Sequence, residues 1–540
     1  MSKSKHNRAV AFALCWLTAA GSAVADDARS LDEVRNTVVN LLDALVQQGV
    51  VTPEQARQMV AEAQSEADRD ARKRSDEDAD AAGAVRVTYV PQVVKDEISA
   101  QVREEIRPQV VQDVVAQAKA EQWGVPAALP DWVAGLRLSG DVRVREQWDL
   151  FASSNAPFTY LDFLKVNEKG GIGKAGEDAF LNTTEDRLRT RARARFGVEA
   201  DLGEDFTLGL RLATGNFRDP VSTNQTLAQV GGRYSFGVEQ AYLRYDARGS
   251  SDWPWLSLWG GRTANPYLTT DLVFDSDLTF EGFTGSYRYG FTASTPEDHH
   301  AFLTVGAYPL EEVELSSDDK WLYAVQAGAR WRFDNELLLR GAVAYYSYDN
   351  ITGIRNSLDS TVYDYTAPLW LQKGNTLFDI RNDADPATNL FALAAEYELL
   401  DVVLGLDLPV FSDYQLTFIA DYVMNVGYDE GDVLERTGLN VEGRTDGYSL
   451  ELGFGHPRLD RLHAWRAALR YRYLQRDAVL DAFTDSDFHL GGTDSEGYVL
   501  RGDYALGRKV YLTLRYLSAN EIDGPPLGID VWQLDLNGQF

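Results

Sequence analysis

The stretch Arg187-Leu188-Arg189-Thr190-Arg191-Ala192-Arg193-Ala194-Arg195-Phe196-Gly197-Val198 decides the fold. Successive side chains of an extended strand point to opposite faces. Arg187, Arg189, Arg191, Arg193 and Arg195 therefore share one face, and Leu188, Thr190, Ala192, Ala194 and Phe196 share the other. In a soluble sheet the arginine row would be a solvated edge. In a barrel that crosses a bilayer it must face the lumen, because an arginine turned to lipid near the midplane costs about 2–4 kcal/mol.

The same period of two recurs along most of the chain. Leu136, Leu138, Gly140, Val142 and Val144 alternate with Arg137, Ser139, Asp141, Arg143 and Arg145. Trp465, Ala467, Leu469, Tyr471 and Tyr473 alternate with Arg466, Ala468, Arg470 and Arg472. Sixteen runs of this kind are marked, the first eight being 136–149, 184–201, 205–215, 233–246, 254–263, 276–289, 300–309 and 320–333. The second eight are 335–348, 389–404, 413–426, 445–455, 463–476, 494–506, 509–518 and 529–540. Such runs exceed the usual globular strand of about five or six residues and match tilted membrane-crossing strands.

The connections choose the architecture. Leu202 to Glu204, Asp334, and Gly507-Arg508 are tight turns after even-numbered runs, whereas the long polar stretches Leu150 to Thr183 and Asp349 to Thr388 follow odd-numbered ones. Brief turns at one end and long loops at the other are what an outer-membrane barrel predicts, with the turns periplasmic. The expected fold is an all-β transmembrane barrel of about 16 antiparallel strands. Tyrosines and tryptophans near strand ends, such as Trp132, Trp148, Tyr245, Trp321, Tyr348 and Trp370, suit interfacial girdles, with some of them expected in loops instead and none assigned individually. The last run puts Trp532, Leu534, Leu536, Gly538 and Phe540 on one face, and this terminal aromatic resembles the signal read by barrel-assembly machinery.

Upstream the pattern differs. A basic start (Lys3, Lys5, Arg8), the apolar run Ala9 to Ala20 and Ala23-Val24-Ala25 form a secretory signal over residues 1–25. Its removal takes away Cys15, the single cysteine, so a disulfide framework, a zinc ribbon and an iron–sulfur site are excluded. From Asp26 to about Gln122 the apolar spacing is helical, with Thr52-Pro53-Glu54-Gln55 as a helix start and Val94, Ile98, Val102, Ile106 and Val110 as a narrow seam. Residues 26–128 are expected to be an N-terminal α-helical periplasmic extension, a coiled coil for oligomerisation or a solvated spacer, and residues 129–540 the barrel. The net charge of −30 argues against nucleic acid as a partner.

Several segments resemble the putative porin family of Gram-negative outer membranes. They are Leu129-Pro130-Asp131-Trp132 through Asp141, the Tyr89-Val90-Pro91 to Arg107 stretch, and a third outward loop reading Gly261-Arg262, Asn265-Pro266-Tyr267, Thr270 to Asp277 and Glu281-Gly282. The resemblance implies passive diffusion of small hydrophilic solutes or ions through a water-filled lumen, usually in trimers. It also implies that the third loop folds inward, making Thr263 to Asp275 the candidate constriction, with Asn265, Tyr267, Asp271 and Asp275 its marked residues. Asp271 and Asp275 would then oppose the Arg187–Arg195 ladder, a transverse field that selects by charge and leans to anions. Outer-membrane lipid and lipopolysaccharide would surround the barrel.

Other functions fit less well. Outside the signal only His299, His300, His456, His463 and His489 are present, the first four near expected periplasmic turns and none beside a nucleophile motif, so no enzyme, cofactor or metal is expected. An energised receptor needs about 22 strands and a plug. An anchoring protein with a closed or gated barrel remains the alternative. Asp477, Asp481, Asp485 and Asp487 are expected in a solvated outward loop, with divalent-cation binding at the lipopolysaccharide surface the less favoured reading.

Overall fold

The computed structural model describes residues 135–540, apart from 250, 251, 293 and 412. The signal, the helical extension and the Leu129–Trp132 segment lie outside the described residues. The first eight barrel strands are β1 Leu136–Phe151, β2 Arg187–Gly203, β3 Phe206–Ala213, β4 Gly237–Arg248, β5 Pro254–Ala264, β6 Thr279–Gly290, β7 His299–Glu311 and β8 Lys320–Arg332. The second eight are β9 Leu338–Asp349, β10 Glu398–Val410, β11 Tyr414–Asn425, β12 Asp446–Gly455, β13 Trp465–Leu474, β14 Ser495–Ala505, β15 Val510–Glu521 and β16 Gly528–Gln539. Neighbours in sequence pair antiparallel, and β16 pairs with β1 from Asp141 opposite Gln539 to Phe151 opposite Ile529. The sheet therefore has no edge, so the ladder satisfies its backbone groups where no water is available.

Phe540 completes the seam. Its N–H donates to Gly140 O at 3.0 Å, and its ring lies so close that a Cβ on Gly140 would fall 2.5 Å from it. Only glycine leaves room for the ring there.

The period of two becomes two faces. On β14, Tyr498, Leu500 and Tyr504 are 54, 52 and 42% exposed, while Val499 and Asp503 between them are buried. Aromatics gather on the outer face toward the long-loop end: the rings of Tyr516 and Trp532 are 4.5 Å apart, those of Tyr471 and Tyr498 4.9 Å, and those of Tyr448 and Tyr473 5.3 Å. Trp148 (opposite Trp532), Tyr245 and Trp321 join the outer face. Tyr348 departs from the girdle expectation, being buried on the inner face, and Trp370 lies in a loop.

The connections separate by end. Residues 204–205, 249–253, 291–298, 333–337, 411–413, 456–464 and 506–509 join strands at one end; 152–186, 214–236, 265–278, 350–397, 426–445 and 475–494 are the long loops of the other, with 312–319 and 522–527 shorter. Most boundaries differ from the sequence reading by a few residues, and the largest differences fall at the two ends of the tenth strand. The tenth run was expected over 389–404, but Phe391–Leu393 pairs with Leu377–Asp379 inside the long loop and β10 begins at Glu398. Leu390 to Ala395 are apolar because they are buried beneath the loops, so burial there imitates the strand that follows. β10 then continues to Val410 through Pro409, which lies beyond the end of β9, where a strand tolerates a missing N–H.

The largest buried apolar cluster lies inside the barrel. Inward residues of β6–β11, including Phe280, Tyr308, Leu322, Tyr346, Leu399 and Val423, pack with Leu272, Val273 and Phe274 of loop 265–278 and with Phe378, Ile380 and Leu393 of loop 350–397.

Candidate functional site

Loop 265–278 carries a run of three apolar residues, Leu272-Val273-Phe274, which needs cover from water. It finds that cover inside the barrel. Phe274 stands edge-on to Phe280 and Tyr346, with ring centres 5.1 and 5.0 Å away. Asn265 Oδ1 accepts from Tyr267 N at 2.9 Å, and Tyr267 meets the hydroxyl of Tyr308 at 2.9 Å. The Gln326 side chain on β8 accepts from Leu268 N and donates to Leu268 O, each at 2.8 Å. Thr270 donates to Asp421 on β11, and Asp271 pairs with Arg470 on β13 at 2.8 Å. The loop springs from β5 and β6, and β13 is nearly opposite them among sixteen strands, so the loop spans the lumen.

The five arginines of β2 lie on the inner face, opposite the inward residues of β1. Arg189 pairs with Asp149 at 2.6 Å, Arg193 with Asp141 at 2.6 Å, and Arg195 with Glu239 at 2.6 Å. Asp277 lies between Arg193 and Arg195, at 3.4 and 2.9 Å. The loop carboxylate that touches the ladder is thus Asp277, whereas Asp271 reaches the far wall. Arg195, Arg193 and Arg143 outweigh burial and hold Asp277 at about 2. Asp275 has a third role. Its N–H donates to Phe483 O at 2.8 Å and its carboxyl accepts from Ser486 N at 3.1 Å, which ties loop 265–278 to loop 475–494. Burial, beside Asp485 and Asp277, pushes that carboxyl well above the ordinary range.

Loop 475–494 also folds inward, and its acids are not a solvated fringe. Asp477 is buried, accepting from Thr376 N at 2.8 Å, from the Thr376 hydroxyl at 2.6 Å and from Tyr397 at 2.9 Å. Asp481 is buried with neither carboxylate oxygen partnered, and burial pushes it up to about 7. Asp487 meets Arg145 at 2.7 Å and Arg515 at 3.0 Å, and these cations with Arg191 hold it well below the carboxylate range. Arg145 is also bonded twice to Asp535, at 2.7 and 2.9 Å. Loop 350–397 seals against this loop: a Cβ on Gly492, whose φ is +85°, would fall 1.8 Å from Lys373 O.

Three cavities follow one another along the inner wall. One of about 310 Å³ near the long loops is lined by Arg187, Arg189 and Arg191, with Ser486 and Asp487. The next, about 330 Å³, shares Ser486 and Asp487 and adds Arg143, Arg193, Asp271, Asp275, Asp277 and Arg501. The last, about 410 Å³, shares Arg501 and ends at His456 and Pro457 near the short turns. His299, His300, His456 and His463 stand at the short-turn end. His489 is buried with Nε2 2.9 Å from Leu527 O, and burial pushes it well below its ordinary value. Sequence reasoning missed that Asp277, Arg145, Arg470, Arg515 and Asp487 line one cavity. Period two placed the arginines inward, but nothing in the chain announces which loop acid reaches which of them.

Known proteins give a consistent setting. A sequence profile described as putative porin matches residues 35–540. No curated protein sequence matches the chain. Among solved structures, the outer membrane channel DcaP of Acinetobacter baumannii is similar over 75% of this chain and 98% of its own, with 13% identity and a TM-score of 0.38. Pseudomonas putida OprB in its high-pH structure covers 75% of this chain and 94% of its own, at 12% identity and a TM-score of 0.43. Salmonella typhi OmpF in complex with daunomycin covers 75% and 97%, at 12% identity and 0.39.

Proposed function

The chain belongs to the putative porin family, and its barrel is an outer-membrane channel; on that footing we propose a water-filled path for passive diffusion of small hydrophilic solutes or ions, leaning to anions. The observation that carries this reading is the succession of three cavities, the first two beside arginines of β1 and β2 and the third beside Arg340, Arg466 and Arg501. Arg187, Arg189, Arg191, Arg193 and Arg195 line the path, and Asn265, Tyr267, Asp271 and Asp275 belong to the loop that narrows it. The ion pairs of the ladder temper the preference, since a paired arginine presents less net charge than a free one. Reversal potentials in a salt gradient across a planar bilayer test the idea. Anion preference that falls when Arg189, Arg191 and Arg193 become glutamine is expected; cation preference indifferent to those changes would sink it.

The protein assembles as a homotrimer in this reading. Support comes from the outer face of β1 and β2, where Glu146 accepts from Thr190 at 2.7 Å between Val144 and Trp148. A carboxylate on a lipid-facing surface is costly, and a neighbouring subunit would relieve that cost. The long loops then meet lipopolysaccharide, the barrel-assembly machinery reads Phe540, and the extension hangs in the periplasm. Cross-linking of the detergent-solubilised protein checks the trimer. A second reading, a gated or anchoring barrel, draws on the loop ties across the lumen, Thr270 to Asp421 and Asp271 to Arg470. Deleting 26–122 separates the two: trimers lost with conductance kept fits assembly, and conductance lost fits gating.

A further inference from the structure

The cavity nearest the long loops differs from the two below it. Its lining combines Arg187 and Arg191 with the buried side chains of Leu371, Ile529 and Val531 and with Leu490. The arginines are underused. Arg187 makes no ion pair among the described residues, and the nearest carboxylate oxygen to Arg191 is that of Asp487, at 3.9 Å. The Nε atoms of Arg189 and Arg191 are buried without an acceptor, and so is the indole N–H of Trp370, which also lines the cavity. Several donors therefore await an acceptor beside apolar residues, in a volume of about 310 Å³. Ligand pockets of roughly 300–1,000 Å³ combine an apolar lining with a few convergent polar groups in this way.

The geometry points to a binding site for a monocarboxylate with an apolar or aromatic body, carboxylate toward Arg187 and Arg191 and body against Leu371, Ile529 and Val531. Four carboxylates in the same lining, Asp149, Asp162, Asp219 and Asp487, argue against a second negative charge on the ligand. A charge-assisted hydrogen bond to guanidinium holds the carboxylate, and the apolar residues add the burial of the body. An inorganic anion gains only the first of these, and an uncharged aromatic only the second. This deepens the channel reading and rests on it for its physiological sense: the site would concentrate such solutes above the narrowing.

Binding and conduction are measured apart, so that their failures are distinguishable. Equilibrium dialysis of the full-length protein in detergent, against benzoate, acetate and benzyl alcohol, gives the first measurement. Benzoate is expected to bind about tenfold or more tighter than either comparator, and to weaken about tenfold in both R191Q and L371N. Acetate or benzyl alcohol binding as well as benzoate would overturn the site without any variant. Unchanged benzoate affinity in folded R191Q and L371N, judged by strand circular dichroism, would overturn it too. Bilayer recordings give the second measurement: benzoate is expected to interrupt the salt current at concentrations where acetate does not. Benzoate binding in a protein that passes no salt current upholds the site and rejects the channel.

Discussion

On β9 the inward residues Ala344, Tyr346 and Tyr348 are buried in the cluster formed with the loops, whereas on β2 the inward residues are arginines that border cavities. Both strands alternate, both are apolar outside, and both belong to one closed sheet. The two sides of the lumen differ toward the long loops. There β6–β11 turn apolar residues into a packed core and β1 and β2 turn charged ones inward, while β14–β16 add a smaller apolar cluster that includes Val499, Leu517, Ile529 and Val531. Loops fill part of the lumen, and cavities remain beside charged residues of β1 and β2 and, toward the short turns, beside those of β9–β14.

The strongest way to break this contrast is to remove the wedge that fills the packed side. Phe274→Ala empties a buried aromatic site and is expected to cost about 3–5 kcal/mol, with loop 265–278 loosened and single-channel conductance raised. An unchanged conductance would mean that the loop does not set the narrowing. A smaller loss, about 2–4 kcal/mol, is expected when Leu500→Arg turns a charge to the lipid side of β14. Denaturant unfolding in bilayers measures it. Arg501, one position on, already lines the lumen, so a harmless Leu500→Arg would refute the assignment of faces.

Asp277→Asn sharpens the electrical side of the comparison. It leaves Arg193 and Arg195 with one carboxylate partner fewer, so the reversal potential is expected to shift toward anions. Acid should act in the same direction. The folded-state value of Asp277, about 2, lies below the ordinary 3.8, so its stabilising contribution is present above about pH 4 and is lost as pH falls through 2. Asp481 carries the opposite sign. Its value is raised to about 7, the folded protein binds the extra proton, and the packing of loop 475–494 therefore weakens as pH rises from about 4 to 7. Limited proteolysis across that range is expected to show the loop opening. Asp481→Asn should flatten the trend, the smallest effect of the four.

Much of the barrel could be read directly from the chain, because a face toward lipid imposes period two on every strand. The sixteen strands, the asymmetry of their connections and the inward side of Arg187 to Arg195 all follow from that one constraint. The packed side followed no such rule. Inward Tyr346 and Leu399 have the same chemistry as outward Tyr345 and Leu400, so composition cannot tell a lipid face from a loop-covered one. The loop acids were harder still. Asp477, Asp481 and Asp487 look like a solvated cluster in sequence, and only contacts with Thr376, Tyr397, Arg145 and Arg515 from distant strands and loops make them interior.

The tie from Asp271 to Arg470 has a mechanical meaning as well. A ring of hydrogen-bonded staves resists stretching around its rim but yields readily to squashing, because ovalisation bends the sheet without breaking its ladder. Loop 265–278 runs as a chord from β5 and β6 to β13, pinned at Gln326 and Asp421 on the way. That makes the wall a braced hoop, its cross-section fixed against the lateral pressure of the membrane by the loop that crosses it.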